Sequence, residues 1–316
     1  MSNYPILFVM CGLPASGKST EAAMIAERAN ALIFSSDAIR AELYGDENIQ
    51  GDPVKVFSLL NKRVADALKS GRNVVYDATN LNAKKRRGLL RFFKTAGCVF
   101  DSQCVLVLCP SEQCIKRDAA RERHVGEEVL HRMLLNFQPP FYNEGWDFIR
   151  IVGLENNESE YITFDRIEAA YVFDQKNHHH SMFLADHEEA AANYILDYRI
   201  EHPELAISEA LVRAAYFHDD GKMDCQHFDE EGEAHYYGHE YASVYRYLTC
   251  WHAVMDKDEY HANLFLLEAA FYIAWHMVPY KCQSKESFME WCEKKNIGTP
   301  YSDNLWLLHE ADVAAH

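Results

Sequence analysis

Through the first 150 residues, short unbroken apolar runs alternate with longer stretches of helical period. Ile6–Met10, Ala31–Phe34, Asn73–Tyr76 and Val105–Leu108 are too short for helices and are rich in β-branched and aromatic side chains, so they read as buried strands. Between them, residues 19–29 and 54–69 carry apolar positions at helical spacing. Such alternation predicts a parallel sheet with helices on both faces. The polar stretch Leu154–Glu160 marks a boundary. Beyond it the pattern changes, and from about residue 181 the chain reads as nearly all helix, with periodic stretches at 181–200, 207–218, 239–256 and 261–277. The connection 161–180 fits either a short strand or a lead-in helix. The expected architecture is an α/β domain over 1–155, a linker over 156–174 and an all-α domain over 175–316.

Charge sharpens this division. Residues 1–160 hold 20 basic and 20 acidic side chains, whereas 161–316 hold 11 and 28 and so account for the whole net charge of −17. Fourteen of the 16 histidines also lie beyond residue 160, His124 and His131 being the exceptions. Two regions so different in titratable groups are expected to carry different chemistry. No apolar run approaches the roughly 20 residues that span a bilayer. The apolar stretch ending at Gly12 lacks the flanks of a leader and reads as a first strand. Nine cysteines are scattered singly, none in a C-x-x-C pair, which fits a reducing, cytoplasmic setting.

Gly12-Leu-Pro-Ala-Ser-Gly17-Lys18-Ser19 follows a predicted strand and precedes a predicted helix, the context a phosphate-binding P-loop requires. Its glycines let the backbone wrap phosphates, Lys18 reaches the β- and γ-oxygens and Ser19 holds Mg²⁺. The expected nucleotide set is Gly12, Ser16, Gly17, Lys18, Ser19 and Thr20, with Arg117 and Arg121, and the expected cofactors are ATP or another nucleoside triphosphate and Mg²⁺. At the carboxyl end of the second strand stands Asp37, placed to take a proton from an acceptor hydroxyl or merely to cap the next helix. Arg40, one turn later, suits an anionic acceptor group or plain surface. The third strand ends in Asp77-Ala-Thr79-Asn80, where Asp77 supports Mg²⁺ through water and Thr79 and Asn80 are candidate acceptor contacts. The quartet Lys84–Arg87 opens a segment, 84–132, with eleven basic and six acidic side chains, suited to phosphate-backbone contacts. Arg117 and Arg121 are spaced to share one helix face.

These elements resemble the 5′-OH polynucleotide kinase branch of P-loop kinases. The likeness rests on residues 12–19, Ser35–Arg40, Asp77–Asn82 and the stretch from Arg117 through Arg121-Glu-Arg123-His-Val to Gln138-Pro-Pro140. It implies Asp37 as general base, Arg40 as contact to a phosphate of the nucleic-acid acceptor and Arg121 as the lid arginine. One departure is Ser36, where phage members of that family carry arginine.

In the second half His187, His218-Asp219, His239, His276 and Asp312 are residue types that bind divalent metals, and helices can aim them at one interior point. The run His178–His180 carries no such spacing. The H…HD…D order, with Gly221-Lys222 after the pair, resembles HD-family phosphohydrolases. That resemblance implies a first metal on His187, His218, Asp219 and Asp312, with His239 and His276 as further ligands or phosphate contacts. Lys222 then holds a substrate phosphate, Asp219 and Lys222 count as catalytic, and one or two ions (Mn²⁺, Ni²⁺, Co²⁺, Fe²⁺ or Mg²⁺) activate water against a phosphoester.

Taken together the two resemblances imply an enzyme that prepares nucleic-acid ends, RNA favoured over DNA: a 5′-phosphate is added and a 2′,3′-cyclic or 3′-phosphate removed. A separate ligase is the expected partner, since no nucleotidyl-transfer lysine motif is apparent, and no membrane contact is expected. Two other readings fit the same residues: a nucleoside, sugar or cofactor kinase joined to an HD nucleotidase, and a nucleotide sensor without turnover.

Overall fold

The computed structural model describes residues 4–122, 124–153, 167–177, 182–205, 207–252 and 259–316. The expected boundary at Leu154–Glu160, most of the expected linker, the run His178–His180 and Arg123 lie outside them. The chain forms two compact units, one comprising residues 1–133 and 138–153, the other 134–137 and 154–316.

The first unit is built on a five-stranded parallel sheet. Its strands are β1 (Ile6–Cys11), β2 (Leu32–Ser35), β3 (Val74–Asp77), β4 (Asp101–Val107) and β5 (Phe148–Val152), in the order β2-β3-β1-β4-β5. The four expected strands are present, and β5 is an addition. Central β1 is buried on both faces: Phe8 and Met10 pack with Ala22 and Ile25, while the alternate pair Leu7 and Val9 is fully buried as well. The helices of this unit are α1 (Lys18–Ala29), α2 (Ser36–Tyr44), α3 (Pro53–Lys69), α4 (Ala83–Thr95), α5 (Ser111–Ala119) and α6 (Glu127–Leu134), of which α1 packs on β1 and, with α2 and α3, on neighbouring strands. Every strand therefore delivers its carboxyl end to the same edge, where open α/β sheets bind ligands.

The basic quartet divides between surface and core. Arg86 is completely buried, which corrects its expected place on a phosphate-binding face. Its Nε and Nη2 donate to Glu144 at 2.8 and 2.5 Å, Nη1 to the Asn80 carbonyl at 2.8 Å and Nη2 to the Pro139 carbonyl at 3.0 Å. Trp146 Nε1 donates to the same carboxylate at 3.1 Å. Burial alone would disfavour the guanidinium, but Glu144 beside it holds it charged. The pair ties α4, the loop after β3 and residues 139–146 into one piece.

The second unit is helical: α7 (Leu184–Glu201), α8 (Glu209–Ala215), the short α9 (Lys222–Cys225), α10 (His239–His252), α11 (Glu259–Trp275), α12 (Lys285–Lys294) and α13 (Tyr301–Ala314). Buried alanines (Ala191, Ala192, Ala210, Ala214, Ala269, Ala270, Ala311) lie where α7, α8, α11 and α13 pack together and allow close approach. Gly221 serves a similar end, since a Cβ there would meet the His239 carbonyl at 2.3 Å and the Ser243 amide at 2.4 Å. A small antiparallel hairpin, β6 (His227–Phe228) with β7 (Ala234–His235), interrupts the helices, which the expectation of nearly continuous helix did not include. Among the described residues, no helix is long and apolar enough to cross a membrane.

Removing one partner of a buried ion pair strands the other charge, at a cost of about 3–5 kcal/mol. Arg86→Met is expected to lower the stability of the first unit by that amount in thermal or urea unfolding. Adding Glu144→Leu should recover much of the loss, because no uncompensated charge then remains; a single variant as stable as the parent would contradict this role.

Candidate active sites

The loop between β1 and α1 has the geometry of a phosphate cradle. Ala15 and Gly17 take positive φ values of 61° and 100°, turning successive amides inward. Gly12 lies at φ 151°, and a Cβ there would stand 2.5 Å from the Val107 carbonyl, so no side chain fits under the loop. Lys18 is buried and its Nζ donates to the Leu13 carbonyl at 2.5 Å. Burial lowers its pKa, opposed by the Asp77 carboxylate. Ser19 Oγ donates to Asp77 Oδ2 at 3.0 Å, pairing the two side chains a P-loop enzyme uses around Mg²⁺. Burial raises the Asp77 carboxyl, opposed by Lys18 and Ser19. The buried Ser16 hydroxyl has no hydrogen-bond partner among the described residues.

A cleft of about 230 Å³ opens beside this loop and brings together Gly17, Lys18, Ser19, Asp37, Arg40, Asp77, Thr79 and Arg121. Ser35 caps α2, its Oγ accepting from the amides of Asp37 and Ala38. Capping is therefore not the task of Asp37, whose half-exposed carboxylate instead accepts from Arg40 Nη1 at 2.6 Å.

Other expected residues stand elsewhere. Gly12, Ser16 and Thr20 do not line the cleft. Neither does Asn80, whose Nδ2 donates to the Met10 carbonyl at 2.7 Å, so its amide is committed to the end of β1. Helix α5 ends at Ala119, so Arg117 and Arg121 do not share a helix face. Arg117 turns towards Cys109 Sγ at 3.4 Å, and only Arg121 reaches the cleft. Sequence reading missed Asp118, which is buried and accepts from the amides of Val125 and Gly126 at 2.9 and 3.0 Å. It shapes the loop bearing Arg121; its signal was a lone carboxylate between arginines.

In the second unit, four buried imidazoles each turn Nδ1 to a backbone carbonyl: His187 to Ala315 at 3.2 Å, His218 to Ala215 at 2.8 Å, His239 to Tyr236 at 2.8 Å and His276 to Ile273 at 2.7 Å. A carbonyl can only accept, so Nδ1 carries a hydrogen and each Nε2 is turned inward, where it offers a lone pair whenever the ring is neutral. His187, His218, Asp219 and Asp312 form one potential metal-binding group, and Asp219, His239 and His276 a second. Asp219 belongs to both. Its Oδ2 lies 3.4 and 3.5 Å from Nε2 of His187 and His218, and its Oδ1 lies 3.1 and 3.6 Å from those of His239 and His276.

Two observations fit a cation. The Nε2 atoms of His239 and His276 stand 3.1 Å apart, where two bare lone pairs repel unless a proton or metal lies between them. The buried Nε2 of His218 has no hydrogen-bond partner among the described residues. Carbonyl-anchored imidazoles are the outer-shell arrangement that orients metal ligands.

Burial alone would raise the Asp219 carboxyl. Lys222, whose Nζ lies 2.5 Å from Oδ2, and the imidazoles of His218, His187 and His239 hold it well below the usual carboxylate range. Residues outside the expected set complete the surroundings: Tyr280 donates to Asp312 Oδ2 at 2.9 Å, His316 Nε2 lies 3.3 Å from Oδ1, and the Asp219 amide donates to buried Glu188 at 3.0 Å. Glu188 stood in the sequence beside His187, in a stretch that supports the HD resemblance, but without an assigned role. A cleft of about 420 Å³ reaches Asp219, Lys222, His239 and Asp312. All nine cysteines are free thiols.

Residues 7–140 match the family described as an AAA domain; with the loop and sheet above, the first unit has a P-loop kinase fold. No curated protein matches the chain. Among solved structures, a chain of the Pnkp1/Rnl/Hen1 RNA repair complex is 21% identical, with coverage of 43% of this chain and 45% of that one and a TM-score of 0.38. A fungal RNA kinase is 13% identical, covering 54% and 45% with a TM-score of 0.38. The Mycobacterium tuberculosis APS kinase CysC is 18% identical, covering 53% and 99% with a TM-score of 0.35. This chain thus matches less than half the length of either RNA-processing structure.

Ligand chemistry at the histidine cluster is expected to depend on pH. Burial depresses the His187 pKa, but Asp219 and Asp312 outweigh it and push it up to about 9 in the metal-free protein. A folded pKa raised above 6.5 contributes stability that is fully present below about 6.5 and lost as pH rises through about 9. A divalent ion must displace that proton, so Mn²⁺ affinity by titration calorimetry should rise roughly tenfold per pH unit up to that range, with proton release. Affinity independent of pH would contradict His187 as a ligand.

Proposed function

We propose that this chain is a bifunctional nucleic-acid end-processing enzyme. Its first unit transfers the γ-phosphoryl group of ATP to a 5′-hydroxyl end, and its second is an HD-type metal phosphohydrolase that removes a 2′,3′-cyclic or 3′-phosphate. The observation that carries the acceptor assignment is the Asp37–Arg40 pair in the same cleft as Lys18 and Arg121. An acceptor that offers a hydroxyl to a carboxylate and a phosphate to a neighbouring guanidinium fits a polynucleotide 5′ end, whose first internucleotide phosphate accompanies the reacting hydroxyl.

In this reading Asp37 receives the proton of the attacking hydroxyl. Lys18 and Arg121, which line the same cleft, neutralise charge on the transferring phosphoryl oxygens. Ser19, with Asp77 hydrogen-bonded to it, would hold Mg²⁺, which would supply further neutralisation of phosphate charge. Asp118 keeps the Arg121 loop in place.

In the second unit His187, His218, Asp219 and Asp312 would hold one divalent ion and Asp219, His239 and His276 are the candidate set for a second; such ions would supply Lewis acidity towards a phosphoester. Lys222 neutralises a substrate phosphate oxygen while remaining paired with Asp219. RNA is the favoured substrate, with a separate ligase to seal the ends.

The acidity of the second half, 28 carboxylates against 11 basic groups, favours a second reading, in which a nucleoside, sugar or cofactor replaces the polynucleotide. Incubation with γ-labelled ATP and equal amounts of a 5′-OH oligoribonucleotide and a nucleoside mixture separates the two. Label is expected on the oligonucleotide, reduced at least about 100-fold by Lys18→Ala or Asp37→Asn. Label confined to a nucleoside would sink the polynucleotide assignment. Asp219→Asn should leave labelling intact while abolishing the loss of a cyclic phosphate; hydrolysis by that variant at the parental rate would remove the metal centre from the reaction.

A further inference from the structure

The hairpin that interrupts the helical unit carries more aromatic surface than two short strands need. His227 and His235 face each other across the β6–β7 ladder with ring centroids 5.5 Å apart. Tyr237 joins them, 5.2 Å from His227 and 5.9 Å from His235, its ring within 3° of parallel to the latter. The group is held from below. His235 Nε2 pairs with Asp229 Oδ2 at 2.8 Å, and the same aspartate closes the turn through its other oxygen, which accepts from the amides of Glu231 and Glu233. Yet Tyr237 itself is 73% exposed. A large flat ring left in water beside two fixed imidazoles is a stacking surface without an evident packing role.

Its position gives it a use. His235, Tyr236 and Tyr237 line the same cleft as Asp219, Lys222 and Asp312. Tyr236 is immobilised: its hydroxyl bonds the Gln175 carbonyl and receives Gln226 Nε2 at 2.8 Å, while Lys222 Nζ lies 5.4 Å over its ring. One wall of the cleft is therefore charged and metal-binding in character, and the rim beside it is aromatic. A compound with a phosphoester next to a flat heterocycle would satisfy both.

We infer that the His227–His235–Tyr237 group is a base-stacking platform that binds the terminal nucleoside of the substrate whose phosphate enters the histidine–aspartate cluster. The inference rests on the phosphohydrolase reading above and adds what the second unit recognises. The surrounding charge limits the site. The hairpin turn carries Asp229, Glu230, Glu231 and Glu233, which repel a run of phosphates, so the platform takes one base and does not track a backbone. Binding through it is accordingly expected to vary little with salt, unlike contacts that release many counterions.

The test uses the full chain loaded with Mg²⁺ and a 3′-methylenephosphonate of 2-aminopurine riboside, whose carbon–phosphorus bond resists hydrolysis. Ethylphosphonate is the base-free comparison. Stacking should quench the 2-aminopurine fluorescence, and the riboside should bind at least about tenfold more tightly than ethylphosphonate. Tyr237→Ala should weaken the riboside about tenfold and diminish the quench, Tyr237→Phe should preserve both, and ethylphosphonate should shift by less than about twofold in either variant. A Tyr237→Ala protein that loses both ligands equally would assign the ring a structural role and overturn the platform. Failure of the parental protein to bind the riboside, or to prefer it, would overturn it too. Hydrolysis of a cyclic-phosphate RNA is scored separately. Base preference without hydrolysis leaves the platform standing and removes the phosphohydrolase reading; hydrolysis without base preference does the reverse.

Discussion

The Asp219 carboxylate is 3% exposed, with a lysine ammonium 2.5 Å from one oxygen and an imidazole nitrogen 3.1 Å from the other. A charge so far from water persists only where neighbours replace its hydration, and much of the second unit is arranged to do so. Helix α7 brings His187, the end of α8 leads into His218, the start of α10 brings His239 and the end of α11 leads into His276, while α13 adds a second carboxylate, Asp312, beside His187 and His218. The alanines where α7, α8, α11 and α13 pack let those helices approach closely enough to share one cluster. The first unit answers the same constraint differently: Arg86 and Glu144 satisfy each other through paired hydrogen bonds, and their reward is a fixed loop after β3, beside the cleft.

These two solutions have different chemical consequences. Arg86 and Glu144 saturate each other and offer nothing to a ligand. Asp219 is surrounded by groups whose inward nitrogens are set up to donate lone pairs, and the carbonyls behind them prevent the rings from turning away. An arrangement with so many converging acceptors is poised for a cation rather than for packing. In the P-loop cleft the polarity is reversed: backbone amides, Lys18, Arg40 and Arg121 converge on an anion, with Asp37 and Asp77 as the carboxylates among them. In the proposed reading the chain pairs a site that attracts phosphate directly with one that would attract it through metal.

Much of this was legible in the residues. The P-loop motif fixed its own context, because glycine spacing, the preceding apolar run and the following helix all demand the same turn. The order of histidines and aspartates in the second half likewise identified the members of the cluster. What escaped were features decided by tertiary contacts. Phe148-Ile-Arg-Ile-Val152 became an edge strand beside β4, yet its central arginine and alternating burial do not look like a buried run. Nothing in Lys84-Lys-Arg-Arg87 distinguishes the buried Arg86 from its neighbours, since the distinction lies in Glu144, 58 residues on. Helical spacing placed Arg117 and Arg121 together, but α5 stops between them and the two guanidiniums part. The hairpin at 227–235 was hidden by its brevity, its strands of two residues each carrying no periodicity.

The proposed enzyme is one chain acting on both ends of a nucleic acid. Its most direct test is intact-mass spectrometry of a single RNA bearing a 5′-hydroxyl and a 2′,3′-cyclic phosphate, incubated with ATP, Mg²⁺ and Mn²⁺. The predicted product has gained a 5′-phosphate and lost its cyclic end. An RNA returned with both ends unchanged, while the same preparation phosphorylates a nucleoside or sugar, would contradict it.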